Sequence, residues 1–524
     1  MENGKWKMEN NFGKLNFKIF LQSFSLRLYV SAVCLSSFAF TIFSQTQMPP
    51  APSAPRAVKI PAVQEKTLPN GLKVVVVERK NVPLVTASLL VKSGASVEDE
   101  AQAGVADMTA SLLLKGTKTR TATQIAEEME FLGGNINSGA NWMASNVTVN
   151  ITSDKLDRAL AIMSDVVLNP TFAPKEIDLY KTQTLDALNV QLKQPSALAS
   201  FAASRYTYGE HSAFGTPETI AKINRADISN FYRQAFIPNQ SILIFAGDIT
   251  SAQANALAQK YFGVWKEGSV KKKTFQIMEV SPTISSSGNK NSTTEKNINK
   301  ILVVDLPNSG QAAVTYAKKL NKGRVLYDKD MSNLSVNEVY YPALVANSVL
   351  GGGYTNRLNL EIRIKRGLSY GARSTLAWRG FNSNFSAGAQ TKNVSAAEVA
   401  ELLANEIDRI GRDTVGADEL KPRTATLTGN FSRTLETTNG LAAQISELYL
   451  FGINPTELNS YMRNLQTVTD AQVKNFAAQN IKGGDIIIVG DYAKFKDDLA
   501  KRFPAQKVEV IPASRLNLNS ETLK

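Results

Sequence analysis

The sequence predicts an α+β fold made of two homologous domains. The main observation is a unit that occurs twice, "SILIFAGDITSAQANALAQKYF" at 241–262 and "DIIIVGDYAKFKDDLAKRF" at 485–503. Each unit runs from an apolar strand through Gly-Asp into a helix that ends in an aromatic residue. Both units close a similar order of strands and helices. This self-similarity favours a duplicated α+β domain of about 210 residues.

The first half predicts alternating strands and helices. Residues 66–93 predict two strands around the turn Asn81-Val82-Pro83, because apolar, β-branched runs flank it. Val105, Met108 and Leu112 fall at helical spacing and predict a helix over 101–115. The further predicted elements are helix 121–132, strand 143–151, helix 154–167 and a long helix over 174–193.

The second half predicts the same order. Its elements are strands within 300–319, a helical stretch over 341–366 with a Gly-rich break, strand 383–391 and helix 394–411. Residues 267–299 are rich in Lys, Ser, Asn and Thr, which is typical of a linker. The predicted domains are therefore 60–266 and 300–515, and a tail follows at 516–524.

The N-terminal 44 residues predict a secretory signal peptide (1–44). The apolar run "LYVSAVCLSSFAFTIFS" at 28–44 follows a basic region and is a little short for a membrane span. A Pro-rich leader follows at 45–59, and the pattern predicts export to the periplasm or cell envelope. A retained N-terminal anchor is the alternative. The only cysteine, Cys34, lies in the apolar run, so the mature chain would lack disulfides and a cysteine nucleophile.

The formal net charge of +13 does not indicate a nucleic-acid-binding protein. Part of the excess lies in the leader, and the remainder is spread thinly without a basic stripe interleaved with aromatic residues. Such a surface predicts only a mild attraction to anions.

The segment "AGVADMTASLLLKGT" at 103–117 carries a family signature. Zinc peptidases need two imidazoles one helical turn apart and a carboxylate general base on the same face. The segment resembles the "AGLAHFLEHMLFKGT" type of segment in the pitrilysin/insulinase family of inverted H-x-x-E-H peptidases. In this alignment Asp107 stands at the first histidine position, Ala110 at the glutamate position and Ser111 at the second histidine position.

The resemblance implies that the third metal ligand is also missing. Counting the family's spacing from Ser111 places this glutamate position at Ala187, and a second helix glutamate one heptad earlier at Tyr180. The whole chain contains one histidine, His211, so a two-histidine site cannot form within it. We interpret His211 as an ordinary loop residue, since the sequence offers it no nucleophile elbow and no acid partner. No cofactor is therefore expected in this chain.

A second segment, "GGGYTNRLNLEIRIKRGLSYGARS" at 351–374, resembles the family's "GGGxSSRLFxxIREKRGLAYSV" type. Active members use an arginine and a tyrosine seven residues later to bind the substrate carbonyl near zinc, and Arg363 and Tyr370 match them. A cation and a phenol donor stabilise a developing oxyanion. The alternative is structural: Arg363 would complement a helix C-terminus that Gly367 caps, and Tyr370 would begin the next strand.

Two further parts of the chain are candidates for substrate binding. Gly351, Gly352 and Gly353 would let the backbone pass close to a partner or substrate. The stretch 132–151 resembles the family's edge strand that pairs with extended substrate, and Asn137 lies where the family usually has Asn-Ala. An ordinary edge strand would explain this stretch equally well.

The resemblance extends over about residues 60–515. It implies that each domain is an antiparallel-rich sheet with helices packed on one face, and that the domains form a clam-like chamber. It also implies the zinc-free subunit of a secreted heterodimeric metallopeptidase, whose partner carries zinc and an intact H-x-x-E-H, and whose substrate is an extended peptide. The alternative is a catalytically inactive structural or peptide-binding protein, which would have no need to keep Arg363 and Tyr370.

Overall fold

The computed structural model describes residues 60–268, 298–324, 334–380 and 382–524. The predicted signal peptide, the Pro-rich leader and most of the predicted linker lie outside the described residues, as does Cys34. Within the described ranges, no helix is both long enough and apolar enough to cross a membrane.

The first half contains a six-stranded mixed sheet of order β1-β2-β6-β3-β5-β4. The strands are β1 (Gln64–Thr67), β2 (Lys73–Glu78), β3 (Leu84–Val91), β4 (Asn135–Ala140), β5 (Ser145–Thr152) and β6 (Ser241–Gly247). The β2–β6 pair is parallel, and the other neighbours are antiparallel. Strand β6 is apolar and buried along its length, as a central strand must be, whereas β5 alternates between buried and more exposed residues. Strand β4 ends the sheet, so one of its edges has no strand partner among the described residues.

Eight helices, including three between residues 195 and 235 that were not predicted, accompany the described strands of this half. They are α1 (Val105–Leu112), α2 (Ala122–Phe131), α3 (Leu156–Leu168), α4 (Pro174–Gln191), α5 (Pro195–Tyr206), α6 (Pro217–Lys222), α7 (Arg225–Ala235) and α8 (Ser251–Phe262). Local sequence fixes where they begin: Thr121 and Thr250 close capping boxes at α2 and α8, and proline occupies the first position of α4 and α5.

The second half contains a six-stranded sheet of order β12-β7-β11-β8-β10-β9. The strands are β7 (Ile298–Asp305), β8 (Ala312–Leu320), β9 (Ala372–Ala377), β10 (Ser383–Thr391), β11 (Gly484–Gly490) and β12 (Val508–Pro512). Strand β7 is parallel to β11 and β12, and the other neighbours are antiparallel. Strand β9 ends this sheet, as β4 ends the first.

The helices of the second half complete the repeat. They are α9 (Leu334–Leu350), α10 (Arg357–Asn359), α11 (Ala396–Arg412), α12 (Ala417–Glu436), α13 (Thr438–Phe451), α14 (Glu457–Gln466), α15 (Asp470–Phe476) and α16 (Lys496–Arg502). Two π-helical turns, Leu360–Ile364 and Ala477–Ile481, continue α10 and α15. Short 3₁₀ turns lie at Ala95–Val97, Glu100–Gln102, Leu113–Lys115, Ser153–Lys155, Pro238–Gln240, Asn393–Ser395, Tyr492–Lys494 and Ala513–Arg515.

The two halves share one topology, which confirms the predicted duplication. Strands β2 to β6 of the first sheet and β7 to β11 of the second occupy the same places in the strand order. The sheets differ at one outer strand, because β1 pairs antiparallel with β2 whereas β12 pairs parallel with β7. The fold is therefore two α+β domains, each with a mixed sheet that is mostly antiparallel.

Each half covers the second face of the other half's sheet with a helix. Along β3, Val85, Ala87 and Leu89 point to the helices of their own half, whereas Leu90 points to the opposite face. That face packs against the second half's Leu441, Ala442, Ile445, Leu448 and other residues around α13. Reciprocally, the α5 residues Leu198, Ala199, Ala202 and Ala203 pack on Leu302, Val304, Ile487 and Val489 of the second sheet. The exchange of α5 and α13 joins the halves through two buried apolar clusters.

The end of the chain returns to the first half. Leu523 is buried in the cluster that contains α5 and the second sheet. The carbonyl oxygen of Asn519 accepts a hydrogen bond from Arg205 Nη2 at 3.0 Å, and its Nδ2 donates to Glu218 Oε2 at 2.7 Å. The segment predicted as a tail therefore contributes to the packing between the halves.

Most of the predicted elements are confirmed, and two change in extent. The strand predicted over 383–391 coincides with β10, and α2, α3 and α4 agree with their predictions to within two residues. The single helix predicted over 101–115 is wrong, because Gly104 has φ +96° and separates α1 from the preceding turn. Helix α9 begins at Leu334, earlier than predicted, and the predicted Gly-rich break follows it.

Candidate functional site

Helix α1 carries the segment that resembles the zinc-binding motif. It packs against the edge strand β4 and the long helix α4, which are the other two elements of the predicted site. Ser138 Oγ of β4 donates a hydrogen bond to the backbone oxygen of Ala110 at 2.7 Å. The fold thus brings α1, α4 and the edge strand β4 together.

A carboxylate–phenol pair joins α1 to α4 at two positions that the resemblance assigns to metal ligands. The hydroxyl of Tyr180 on α4 donates to Asp107 Oδ2 on α1 at 2.8 Å. Burial raises the pKa of Asp107, and the hydrogen bond from Tyr180 opposes that shift. Burial and the Asp107 charge together raise the pKa of Tyr180 to about 12, although the Ser111 and Thr184 side chains act against them. At neutral pH the phenol therefore stays protonated and donates a hydrogen bond to Asp107.

The remaining positions of the motif do not fit a zinc ion. Ala110 is buried and Ser111 is half-buried, and neither supplies an imidazole or a carboxylate. Ala187 is exposed on α4 and offers only a methyl group. Among the described residues, no group of three or more His, Cys, Asp or Glu side chains is arranged to hold a metal ion. Asp107 is the one oxygen anion among these positions, and its carboxylate already accepts the Tyr180 hydroxyl.

His211 has a buried carboxylate partner, which the sequence interpretation did not foresee. Glu98 Oε2 lies 3.0 Å from His211 Nε2, and the Glu98 side chain is 0% exposed. The same carboxylate accepts the backbone N–H groups of Gly104 and Ala106 at 3.0 and 2.6 Å, so it caps α1. Burial raises the pKa of Glu98, whereas His211 and the two N–H groups lower it. His211 therefore supports the start of α1 and is more than an ordinary loop residue. Since Glu98 precedes it by more than a hundred residues, local sequence carried no signal of this pair.

Arg363 lies on the π-helical turn that follows α10. Its guanidinium carbon is 4.9 Å from the ring centroid of Tyr354, which is a cation–π distance. The turn ends at Gly367, where φ is +64° and the N–H donates to the Arg363 carbonyl at 2.9 Å. The Gly367 bond is the one that defines an αL cap, and Leu368 N adds a second bond, to Ile362 O at 2.9 Å. The predicted glycine cap is therefore present.

Tyr370 lies directly before β9 and is 91% exposed. No hydrogen bond or ring contact between described residues joins it to Arg363. The structure therefore places both members of the predicted pair around the start of the free edge strand but does not bring their side chains together. A side chain as exposed as Tyr370 adds little to the packing of the fold and is available to a molecule outside the chain.

The three glycines of the segment have different environments. A Cβ on Gly351 would lie 2.0 Å from Ser374 N of β9, so this glycine lets the end of α9 approach the strand within the chain. Gly352 and Gly353 are exposed, and Gly353 has only the tip of Arg423 near its Cβ position. Their contact with a substrate stays a prediction.

Asn137 lies exposed in the middle of β4, opposite Thr148 of β5. Its Nδ2 donates to Asn135 Oδ1 at 3.1 Å, and Asn150 of β5 donates to the same oxygen. The free edge of β4 thus lies beside a polar, asparagine-rich surface. The geometry is that of an edge strand to which an extended peptide can add.

Two family models match this chain. The model described as Insulinase (Peptidase family M16) matches residues 73–214, and the model described as Peptidase M16 inactive domain matches residues 222–422. Together the two matches span more than half of the chain, and the second begins within the first half and extends into the second.

Individual relatives agree with the family models. An uncharacterised zinc protease of Mycobacterium leprae is 24% identical over 447 residues, which are 84% of this chain and 94% of that protein. The beta subunit of the mitochondrial-processing peptidase of Blastocladiella emersonii is 26% identical over 223 residues, 41% of this chain and 47% of that one.

The solved structures show the same fold. A crystal structure of a peptidase M16 inactive domain from Pseudomonas fluorescens superposes with a TM-score of 0.70 at 24% identity, over 82% of this chain and 98% of that one. The family models and the fold confirm the resemblance drawn from 103–117 and 351–374. The chain belongs to the insulinase family of peptidases, M16, with an M16 peptidase domain followed by an M16 inactive domain.

Proposed function

We propose that this chain is the zinc-free subunit of an exported M16 metallopeptidase and acts together with a zinc-bearing chain of the same family. The observation that carries the proposal is the hydrogen bond between Tyr180 and Asp107 at the metal position of α1. In this proposal the Asp107 carboxylate is held by a phenol hydroxyl in place of a metal ion. Ala110 stands where the general base is needed, so this chain supplies neither a metal site nor a base.

What this chain would supply is the pair Arg363 and Tyr370. A phenol O–H and a guanidinium are hydrogen-bond donors that stabilise the negative charge on a carbonyl oxygen during peptide attack. Tyr370 is exposed and needs no rearrangement to meet a substrate. Arg363 would have to leave the ring of Tyr354, and a contact of this kind at an exposed site is worth only about 0.5–1 kcal/mol.

A chamber for the substrate would need a second chain. Within this chain the halves pack against each other through α5 and α13, so the surface between them is filled with apolar side chains. Strands β4 and β9 end their sheets at corresponding places in the two strand orders, opposite β1 and β12. A zinc-bearing chain facing these edges would close a chamber in which an extended peptide adds to β4 beside Asn137.

Two further observations support the proposal. The Blastocladiella emersonii relative is, by its name, one subunit of a processing peptidase, and the Mycobacterium leprae relative is named a zinc protease. The apolar run at 28–44 behind a basic region supports export to the periplasm or cell envelope. If this run is not cleaved, it would remain as an N-terminal membrane anchor.

The direct test uses the purified chain alone and mixed with a zinc-bearing M16 chain encoded beside it. Alone, the chain should contain no stoichiometric zinc after mild chelation and should cleave no unfolded peptide. The mixture should elute as one complex in size-exclusion chromatography and should cleave the peptide faster than the zinc-bearing chain does. About one zinc per chain in the isolated protein would contradict the proposal. A complex that gains no activity would favour the structural or peptide-binding alternative.

A further inference from the structure

A cleft of about 440 Å³ lies beside Tyr370, where α5 of the first half meets the second sheet. We name it the β9 cleft. Its lining residues are Ser196, Ser200, Gln311, Ala313, Val314, Thr315, Ser369, Tyr370, Gly371, Arg373, Gly388, Ala389 and Gln390. Helix α5 packs on β8 and β11 but leaves this face of β10 and β9 less covered, and the cleft occupies that space.

The floor of the β9 cleft is a cross-strand row of three residues. Thr315 of β8 lies opposite Gly388 of β10, and Gly388 lies opposite Arg373 of β9. Because residues that are directly opposite in a sheet point to the same face, all three face the side on which α5 lies. Gly388 has no side chain to fill the middle of this row, so the floor is open between Thr315 and Arg373.

The chemistry of the lining is that of a site for an anion. Arg373 is the one charged residue among the lining residues, which otherwise carry hydroxyl, amide or small apolar groups. Arg373 is exposed, and no ion pair with another described residue occupies its guanidinium. An arginine that faces a cleft without an acidic partner is suited to bind a carboxylate through two parallel hydrogen bonds.

The start of α5 adds to the positive electrostatic potential in the β9 cleft. Ser196 is the second residue of this twelve-residue helix and lines the cleft. Pro195 at the first position has no N–H, and Gln194 before it makes no side-chain cap, so the N–H groups of Ser196 and Ala197 have no capping acceptor from Gln194. Free N–H groups at a helix N-terminus favour a negative charge nearby. The helix end and Arg373 therefore contribute charge of one sign to one cleft.

We propose that the β9 cleft binds a carboxylate of the peptide whose carbonyl meets Tyr370. The inference rests on the proposed function for the nature of the ligand, an extended peptide. Tyr370 and Arg373 are three residues apart, which is at most about 10 Å of extended chain. The recognised carboxylate would lie within about three residues of the contacted carbonyl. It would come from an acidic side chain or from the C-terminus of the peptide.

The test is a binding measurement on the isolated chain, which needs neither a partner nor turnover. The probes are octapeptides of Ala, Val and Ser with an uncharged BODIPY label. The first carries one central Glu and an amidated C-terminus, the second has Gln in place of Glu, and the third is the Gln peptide with a free C-terminal acid. Fluorescence polarisation should show that one of the two carboxylate-bearing peptides binds about fivefold tighter or more than the amidated Gln twin. The tighter of the two identifies the source of the carboxylate.

Variants then assign the preference to the cleft. In Arg373→Gln the preference should disappear, and in Arg373→Lys it should be reduced but present. Arg433→Gln is the matched control, since Arg433 is an exposed arginine outside the cleft and its loss changes the net charge equally. Equal affinity for all three peptides, a preference that survives Arg373→Gln, or an equal loss in Arg433→Gln would each overturn the inference. None of these results depends on whether a zinc-bearing partner exists, so failure here is distinct from failure of the proposed function.

Discussion

The pair Tyr180–Asp107 makes a quantitative prediction, because a single hydrogen bond joins a phenol to a carboxylate across α1 and α4. Tyr180→Phe removes the hydroxyl that donates to Asp107 Oδ2 at 2.8 Å and leaves the ring in place. A hydrogen bond to a charged group contributes about 1.5–3 kcal/mol, and since both residues are only partly buried, we take about 1.5 kcal/mol. With an unfolding entropy of about 2.1 cal/mol/K per residue, a fold of this size would lose roughly 1.5 °C in Tm at pH 7.5.

The loss of stability in Tyr180→Phe should depend on pH in a defined direction. Burial raises the pKa of Asp107 in the folded chain above the value of about 3.9 in the unfolded chain. The stability that this carboxyl contributes is therefore fully present below about pH 3.9 and is lost as the pH rises through its folded pKa. Removing the phenol raises that folded pKa further, so Tyr180→Phe should cost more at pH 7.5 than at pH 4.5.

Differential scanning calorimetry at the two pH values measures this effect. Tyr232→Phe is the control, because the Tyr232 hydroxyl donates to the neutral carbonyl of Val167 at 2.6 Å. The decrease in Tm that Tyr232→Phe causes should be similar at both pH values. If Tyr180→Phe left Tm unchanged at pH 7.5, or lowered it equally at both pH values, the phenol would not be holding an ionised Asp107 and our description of the Tyr180–Asp107 pair would be refuted.

Two further predictions concern the packing around the site. Gly351→Ala should lower the stability by about 2 kcal/mol or more, because its Cβ would lie 2.0 Å from Ser374 N, whereas Gly353→Ala should be nearly neutral; thermal melts of both variants decide this. Ile445→Ala on α13 should lower the stability by about 3 kcal/mol, since this buried side chain joins the halves. The whole chain should then unfold in one calorimetric transition at a lower temperature. Val190→Ala at an exposed position should change the stability little. Two separate transitions in Ile445→Ala would show that the halves are not coupled.

Much of the fold could be predicted from the sequence because its elements have strong local signals. The apolar runs of β6 and β11 followed by Gly-Asp marked the duplication, and periodicity placed α2, α3 and α4. Helix α5 was not predicted. Its apolar residues are buried only because they pack on the second sheet, which is distant in sequence; they are Leu198, Ala199, Ala202 and Ala203. The packing of α5 and α13 on the sheet of the other half depends on tertiary contacts, so no local sequence pattern predicts it.

The candidate site shows the same division. Positions 107, 110, 111, 363 and 370 could be identified by resemblance, since each lies in a continuous motif. The partner that Asp107 acquires from α4, and the carboxylate of Glu98 that meets His211, depend on residues far apart in the chain. Arg373 lies three residues beyond Tyr370, yet its importance follows only from the cleft that α5 and Gly388 create around it.

The measurement that tests the central claim most directly is peptide cleavage by the assembled pair of subunits with Tyr370 or Arg363 changed in this chain. Turnover is measured per complex after size-exclusion chromatography, beside the melting temperature and the affinity between the subunits. Loss of one oxyanion donor costs about 10²–10³ in rate, so Tyr370→Phe should lower turnover by that factor. Because Tyr370 is 91% exposed, assembly and stability should be unchanged. Arg363→Ala should act similarly, with a larger effect on peptide affinity. Unchanged turnover per complex in both variants would contradict the account and leave this chain a structural subunit.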